Sequence, residues 1–148
     1  MKIQNVSENY SVSDQLRVSD LENVASQGFG TVINNRPDNE VEHQPESADM
    51  AIAAEALGLT YHHIPVTFPN IMADTIDDFA NAYSTAKGPI LAFCASGMRS
   101  ITLWALNEAG TQDVDAILNT TAAAGYDLSV MSPALEAQSA AMHHGRQS

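Results

Sequence analysis

The chain has 148 residues, 45% of them hydrophobic, enough for one domain with a sizeable core. Its 6 Lys and Arg against 18 Asp and Glu give a net charge of −12, a surface that repels nucleic acid and anionic membranes at long range. No stretch reaches the roughly 18 apolar residues of a membrane span, and the opening Met1-Lys2-Ile3-Gln4-Asn5 carries no apolar leader core.

Short strands are expected near Ile3 and over Tyr10 to Val12, both as sheet edges. Ser19-Asp20 offers an N-cap for a short helix through Val24-Ala25, and Gly28 suits its stop. Thr31-Val32-Ile33-Asn34 has the apolar run of a buried strand, and Asn35-Arg36-Pro37-Asp38 breaks it as a loop. Glu40 to Ser47 is polar and suits a mobile segment; Ala48 to Leu57 suits a helix stopped by Gly58. Tyr61-His62-His63-Ile64 is the next strand, closed by Pro65, with a proline-limited loop from Val66 to Met72. Asp74 or Thr75 caps a helix to about Ala86, and Lys87-Gly88-Pro89 ends it. The strand Ile90 to Phe93 then leads into Cys94-Ala95-Ser96-Gly97-Met98-Arg99-Ser100 and a helix from Ser100 to Ala109. Further helices are expected near Asp113 to Thr121 and from Ser132-Pro133 to about Met142. Residues 1–142 then make one domain, and 143–148 a frayed C-terminal tail with His143-His144 in solvent. The alternation of strand and helix predicts an α/β fold, a single layered domain whose small central sheet is mostly parallel and flanked by helices.

Cys94 is the one cysteine, so no internal disulfide forms, which fits a reducing, cytoplasmic compartment. A strand, a tight loop with a thiol, a glycine and an arginine, then a helix N-terminus is a pattern suited to a reactive thiolate that meets an anion. Loop N–H groups and the helix dipole favour negative charge there, and the same field favours the nucleophilic thiolate. The other fate of a lone thiol is a buried structural cysteine. Arg99 is placed to clamp an anion bidentately. Gly97 supplies a positive φ or close backbone approach, and Ala95, Ser96 and Met98 supply backbone N–H groups. Ser100 either hydrogen-bonds the thiolate or caps the following helix. Arg36 is either a second cation near the site or an ion-pair partner of Asp38 or Glu40. Asp74 is a general-acid candidate whose alternative is the N-cap role. His62 and His63 face opposite ways on a strand, so one could approach the site; their spacing is poor for a metal. Leu103 and Trp104 suit core packing. No metal or organic cofactor is implied, and the partner expected is a small anionic or phosphorylated molecule. Nothing in the sequence fixes an oligomeric state.

In α/β sheets the site lies beyond the carboxyl ends of the strands, and three such ends carry Asn35-Arg36-Pro37-Asp38, Pro65-Val66-Thr67 and Cys94 to Ser100. This arrangement resembles the dual-specificity branch of the protein tyrosine phosphatase superfamily. The segments Ser11-Val12-Ser13-Asp14-Gln15-Leu16, Gly30 to Arg36 and Tyr61 to Val66 look like that branch's early segments. More narrowly, residues 2 to 120 resemble the bacterial family DUF442, the phosphatase-like domain of beta-lactamase-hydrolase-like proteins. The resemblance implies a cysteine-dependent phosphatase-like hydrolase in which Cys94 forms a phosphocysteine, Arg99 and the loop amides bind the anion, and Ser100 aids release of the thiolate.

Two features depart from the phosphatase pattern. That pattern is Cys, five residues, then Arg, usually after a His; here four residues separate Cys94 from Arg99, and Phe93 precedes the cysteine. Phosphatases also place an Asp acid in the loop after the preceding strand, whereas Thr67 to Ala73 holds none before Asp74. The loop spacing is similar to that of rhodaneses, single-domain sulfurtransferases whose smaller cradle holds a persulfide. The alternatives are therefore a sulfurtransferase carrying a persulfide on Cys94, and a non-catalytic anion-binding regulatory domain. Fold alone does not choose among them.

Overall fold

The computed structural model describes residues 1–69 and 71–146. Five strands, β1 (Ile3–Ser7), β2 (Tyr10–Ser13), β3 (Thr31–Asn34), β4 (Thr60–His63) and β5 (Ile90–Phe93), form one sheet in the order β1-β2-β5-β3-β4. Only β1 runs antiparallel, against β2; β2, β5, β3 and β4 are parallel neighbours. Among the described residues, six α-helices accompany the sheet: α1 (Leu21–Ser26), α2 (Ser47–Ala56), α3 (Ala73–Ser84), α4 (Met98–Glu108), α5 (Val114–Ala123) and α6 (Ser132–Arg146). The expected α/β class and mostly parallel sheet are both present.

Side chains alternate across the pleat and fill two cores. Ile33, Ile90 and Ala92 face Phe79, Ile101, Leu103, Trp104 and Ile117 from α3, α4 and α5. Val32, Leu91 and Phe93 face Leu21, Val24, Met50 and Ala54 from α1 and α2. β5 is thus covered on both faces, which is why Ile-Leu-Ala-Phe has no polar alternation. Each large side chain so buried stabilises the fold by about 1.5–3 kcal/mol.

β2 is not the expected edge. It lies between β1 and β5 with all four residues buried, because β1 folds back and takes the edge position. The helices sit within a few residues of their expected places. α4 begins at Met98 rather than Ser100, since a left-handed turn at Gly97 (φ 93°) lets the chain enter the helix earlier. Met72 holds the N-cap of α3, so neither Asp74 nor Thr75 caps it. α6 continues past Met142 to Arg146, into the expected tail; residues 147–148, and the side chains of His143 and His144, lie outside the described residues. Glu40 to Ser47 is pinned rather than loose. The Glu40 amide donates to Gln44 Oε1 (3.1 Å), Gln44 Nε2 donates to the Pro37 carbonyl (2.8 Å), and the Ser47 amide donates to Asp38 Oδ1 (2.9 Å).

The parallel register matters most for function. Phe93 lies level with Ser13 on one side and Asn34 on the other, and Asn34 lies level with His63. Four strands therefore end along one line, and the segments leaving them share one edge of the sheet.

Candidate active site

Cys94 is the first residue after β5, its amide donating to the Ser13 carbonyl at the end of β2 (3.4 Å). The chain then turns so tightly that the Gly97 amide donates back to Cys94 Sγ at 3.1 Å. That turn requires glycine. At φ 93° an L side chain is strained, and a Cβ would run into the Tyr126 hydroxyl. Tyr126 in turn donates to the Ser96 carbonyl at 2.8 Å, so it braces the loop from outside. Burial first, and then the charge of Cys94, push the Tyr126 pKa up. Gly97 is the N-cap of α4, so the amides of Met98, Arg99 and Ser100 form the first turn of a buried helix that starts at the sulfur. Cys94 has no solvent-exposed surface, while Ala95 and Ser96 at the loop crest are exposed.

Arg99 is the most heavily used donor in the site. Its Nη1 and Nη2 donate to Glu40 Oε2 and Oε1, both at 2.8 Å, and Nη1 also donates to the Val66 carbonyl at 2.9 Å. A guanidinium has five N–H donors. Those three bonds occupy its end and its outer side. The remaining pair, Nε–H and one Nη2–H, lies along a single edge, with no partner among the hydrogen bonds of the described residues. The Cys94 sulfur is near enough to raise the Arg99 pKa, although the paired Glu40 carboxylate is the main cause of that rise.

Glu40 is the counterweight. Arg36 Nε also donates to Glu40 Oε1 at 2.8 Å, while Arg36 Nη1 donates to Gln15 Oε1 at 3.0 Å. One carboxylate therefore joins two arginines from two strand ends. Hydrogen bonding to Arg99, with Arg36 adding to it, holds the Glu40 pKa down at about 2 against a burial effect that would raise it. Both readings of Arg36 meet here: it pairs with Glu40, and through Glu40 it adjoins Arg99. A carboxyl group whose pKa falls from 4.5 to about 2 on folding lends stability above pH 4.5 and loses it as pH drops toward 2. We therefore expect Glu40→Gln to be less stable than wild type near neutral pH, by an amount that shrinks through that window in urea melts. A constant difference from pH 7 to pH 2 would contradict this.

Asn35 closes the inner side. It is fully buried; its amide donates to the Phe93 carbonyl (2.8 Å) and its Nδ2 to the Ile64 carbonyl (2.9 Å). Ser100 Oγ donates to Asn35 Oδ1 at 2.8 Å, and the Ser100 carbonyl accepts from the Tyr10 hydroxyl at 2.8 Å. Ser100 thus neither caps α4 nor directs its proton at Cys94; it fastens the helix to the end of β3. Asp74 stands exposed in the first turn of α3, with no hydrogen bond to a site residue among those described. His63 Nε2 lies 2.9 Å from the Arg36 carbonyl, and His62 is half-buried. Among the described residues, no three His, Cys, Asp or Glu side chains gather as a metal site.

The structure brings together Cys94, Gly97, Arg99, Ser100 and Arg36, and leaves Asp74 outside their hydrogen-bond network. Sequence reasoning missed Asn35, Gln15, Tyr10 and Tyr126 as supports. It saw Glu40 only as a partner for Arg36. The signal for Asn35 was its place one residue beyond a buried strand; Tyr126 is far from the loop in sequence and had none.

Such a site can bind an anion on α4's first turn and on Arg99, beside a sulfur already receiving an N–H. A family model described as the phosphatase-like domain of beta-lactamase hydrolase-like protein matches residues 2–111. A beta-lactamase hydrolase-like protein of Agrobacterium fabrum is 36% identical over 146 residues, covering 97% of this chain and 34% of that protein. The chain thus spans about a third of the length of the curated relatives it matches. A crystal structure of a candidate phosphatase from Neisseria meningitidis superposes with a TM-score of 0.82 at 35% identity, covering 93% of this chain and 99% of that one. A kinase-associated phosphatase, crystallised with its catalytic-site cysteine replaced by serine, shares the fold over 96% of each chain, with a TM-score of 0.77 at 14% identity.

Proposed function

Because the chain belongs to the family of phosphatase-like domains of beta-lactamase hydrolase-like proteins, we propose that it hydrolyses a small phosphate monoester through a phosphocysteine on Cys94. Membership and fold support a phosphatase-like function at the coarse level. The observation that supports the finer reading is the Gly97 amide donating to Cys94 Sγ at 3.1 Å, at the start of a helix whose second residue is Arg99. The Cys94 thiolate attacks phosphorus, an S–P bond forms, and the ester O–P bond breaks. The departing alkoxide takes a proton from solvent or an acid, and Asp74 is one candidate for that acid. Water then attacks the phosphocysteine, the S–P bond breaks, and the thiolate and inorganic phosphate are released. Arg99 and the loop amides other than that of Gly97, which stays on the sulfur, hold the equatorial oxygens as charge develops. Ser100 acts by holding α4 on Asn35. No helix among the described residues is long and apolar enough to cross a membrane, and the single free thiol supports placement in the cytoplasm.

A second reading is favoured by the four-residue spacing from Cys94 to Arg99 and by Asp74's place outside the network. Here the thiolate attacks the outer sulfur of thiosulfate, an S–S bond forms, and sulfite leaves. The persulfide then passes its outer sulfur to an acceptor. That route needs no carboxylic acid.

Two assays on one preparation choose between them. We expect 4-nitrophenyl phosphate to be hydrolysed without added metal, and thiosulfate with cyanide to give no thiocyanate above background. Thiocyanate formation without phosphate release would replace the first reading with the second. Inertness in both assays with retained phosphate binding would leave an anion-binding domain.

A further inference from the structure

Beside the anion site runs an apolar groove that none of the chemistry above uses. Its near half is a cavity of about 330 Å³ lined by Phe68, Pro69, Ile71, Met98, Leu128 and Met131, among others. A second cavity of about 320 Å³ shares Pro69, Ile71 and Met131 and continues over Leu106, Ala134 and Ala137 along α6. The two cavities adjoin along those shared residues and together form one apolar trough. Its rim leaves large apolar side chains in water, with Val130 86% and Phe68 47% exposed.

Two links join this trough to the reacting sulfur. Met98 lines it, and Met98 sits in the Cys94 loop directly before Arg99. The Val66 carbonyl accepts from Arg99 Nη1 at 2.9 Å, and the same segment runs on to Phe68, Pro69 and Ile71. One wall of the trough is therefore built from the chain segment that leaves the anion clamp at Val66. Its chemistry is also selective. Among the described residues lining the two cavities, the one charged group is Asp127, an anion, so nothing there holds a second phosphate. The chain's net charge of −12 opposes docking on an anionic bilayer.

We infer that the trough is the subsite for the non-reacting part of the substrate, which is a phosphate monoester of an extended apolar alcohol taken up as a free molecule. The inference rests on the phosphatase reading above and deepens it. The phosphate occupies the α4 N-terminus and Arg99, and the apolar chain lies past Met98 between Phe68 and Met131 toward α6.

The test uses inorganic, methyl, butyl and octyl phosphate, the last below its micelle-forming concentration. Calorimetry on the Cys94→Ser protein reads binding, and phosphate release by wild type reads kcat/KM. From methyl to octyl, affinity should rise about two- to four-fold per methylene until the trough is filled. Val130→Asp, on an exposed side chain, and Phe68→Ser should each flatten that series while leaving inorganic phosphate binding unchanged. Phosphate binding with equal affinity for all three esters would overturn the inference alone, and would mean that another occupant, such as a protein segment, covers the trough. A chain-length gain that survives both substitutions would overturn it too, by placing the alkyl group elsewhere. Failure of inorganic phosphate and every ester to bind or turn over would overturn the phosphatase reading itself, and the inference with it.

Discussion

Serine in place of Cys94 should lower 4-nitrophenyl phosphate hydrolysis by about ten-thousand-fold or more, with the thermal melt and far-UV spectrum unchanged. The substitution exchanges one small atom in a residue with no solvent-exposed surface. The Gly97 amide that now donates to Sγ at 3.1 Å can donate to the serine oxygen instead. No buried donor is orphaned, and no cavity of consequence opens. The change is in chemistry: a serine hydroxyl keeps its proton at neutral pH, and no base among the described hydrogen-bond partners takes it. Ser100 cannot substitute, since its proton goes to Asn35. Activity within ten-fold of wild type, measured on folded protein, would remove Cys94 from the reaction. Persistence of phosphate binding in the inactive variant would show that the cradle and the nucleophile are separable.

Arg99→Lys is expected to lower kcat/KM by about a thousand-fold. The guanidinium serves Glu40 with two parallel bonds and Val66 with a third, and its Nε–H and second Nη2–H remain as a two-donor edge. An ammonium presents its donors from one point and cannot span those directions. Drawn to Glu40, it leaves the anion; drawn to the anion, it leaves Glu40 with Arg36 alone. Retention of the positive charge makes lysine the informative choice, because a purely coulombic role would survive it. Steady-state kinetics decides the point. A fall of less than ten-fold would mean that the amides of α4 carry the anion and that the bidentate edge is unused.

The parts of the site that lie close together in sequence were legible there. A buried apolar run, one thiol, a glycine and an arginine before a helix specify the Cys94 loop, and Gly97 adopts the positive φ that its position implied. The three strand ends were likewise readable, since parallel strands must end on one side. Long-range pairings were not. Glu40 reaches Arg99 across 59 positions, and Tyr10 reaches the Ser100 carbonyl across 90. Neither residue type nor local spacing encodes such contacts; they follow from the strand order, which placed β2 inside the sheet when its short run read as an edge. The polar stretch after Arg36 looked mobile for the same reason. Its Asp, Glu and Gln side chains have partners in the folded chain that composition cannot supply. For Ser100, a serine near a helix start suggested a cap, but the helix begins two residues earlier and its hydroxyl faces a buried asparagine.

The claim on which the account rests is a covalent phosphoryl group on Cys94. Rapid-quench mass spectrometry of the wild-type protein during 4-nitrophenyl phosphate turnover addresses it directly. The account predicts one phosphoryl adduct, confined to the peptide that carries Cys94, formed and lost at rates that accommodate kcat. Turnover with no adduct, or an adduct on another residue, would contradict it.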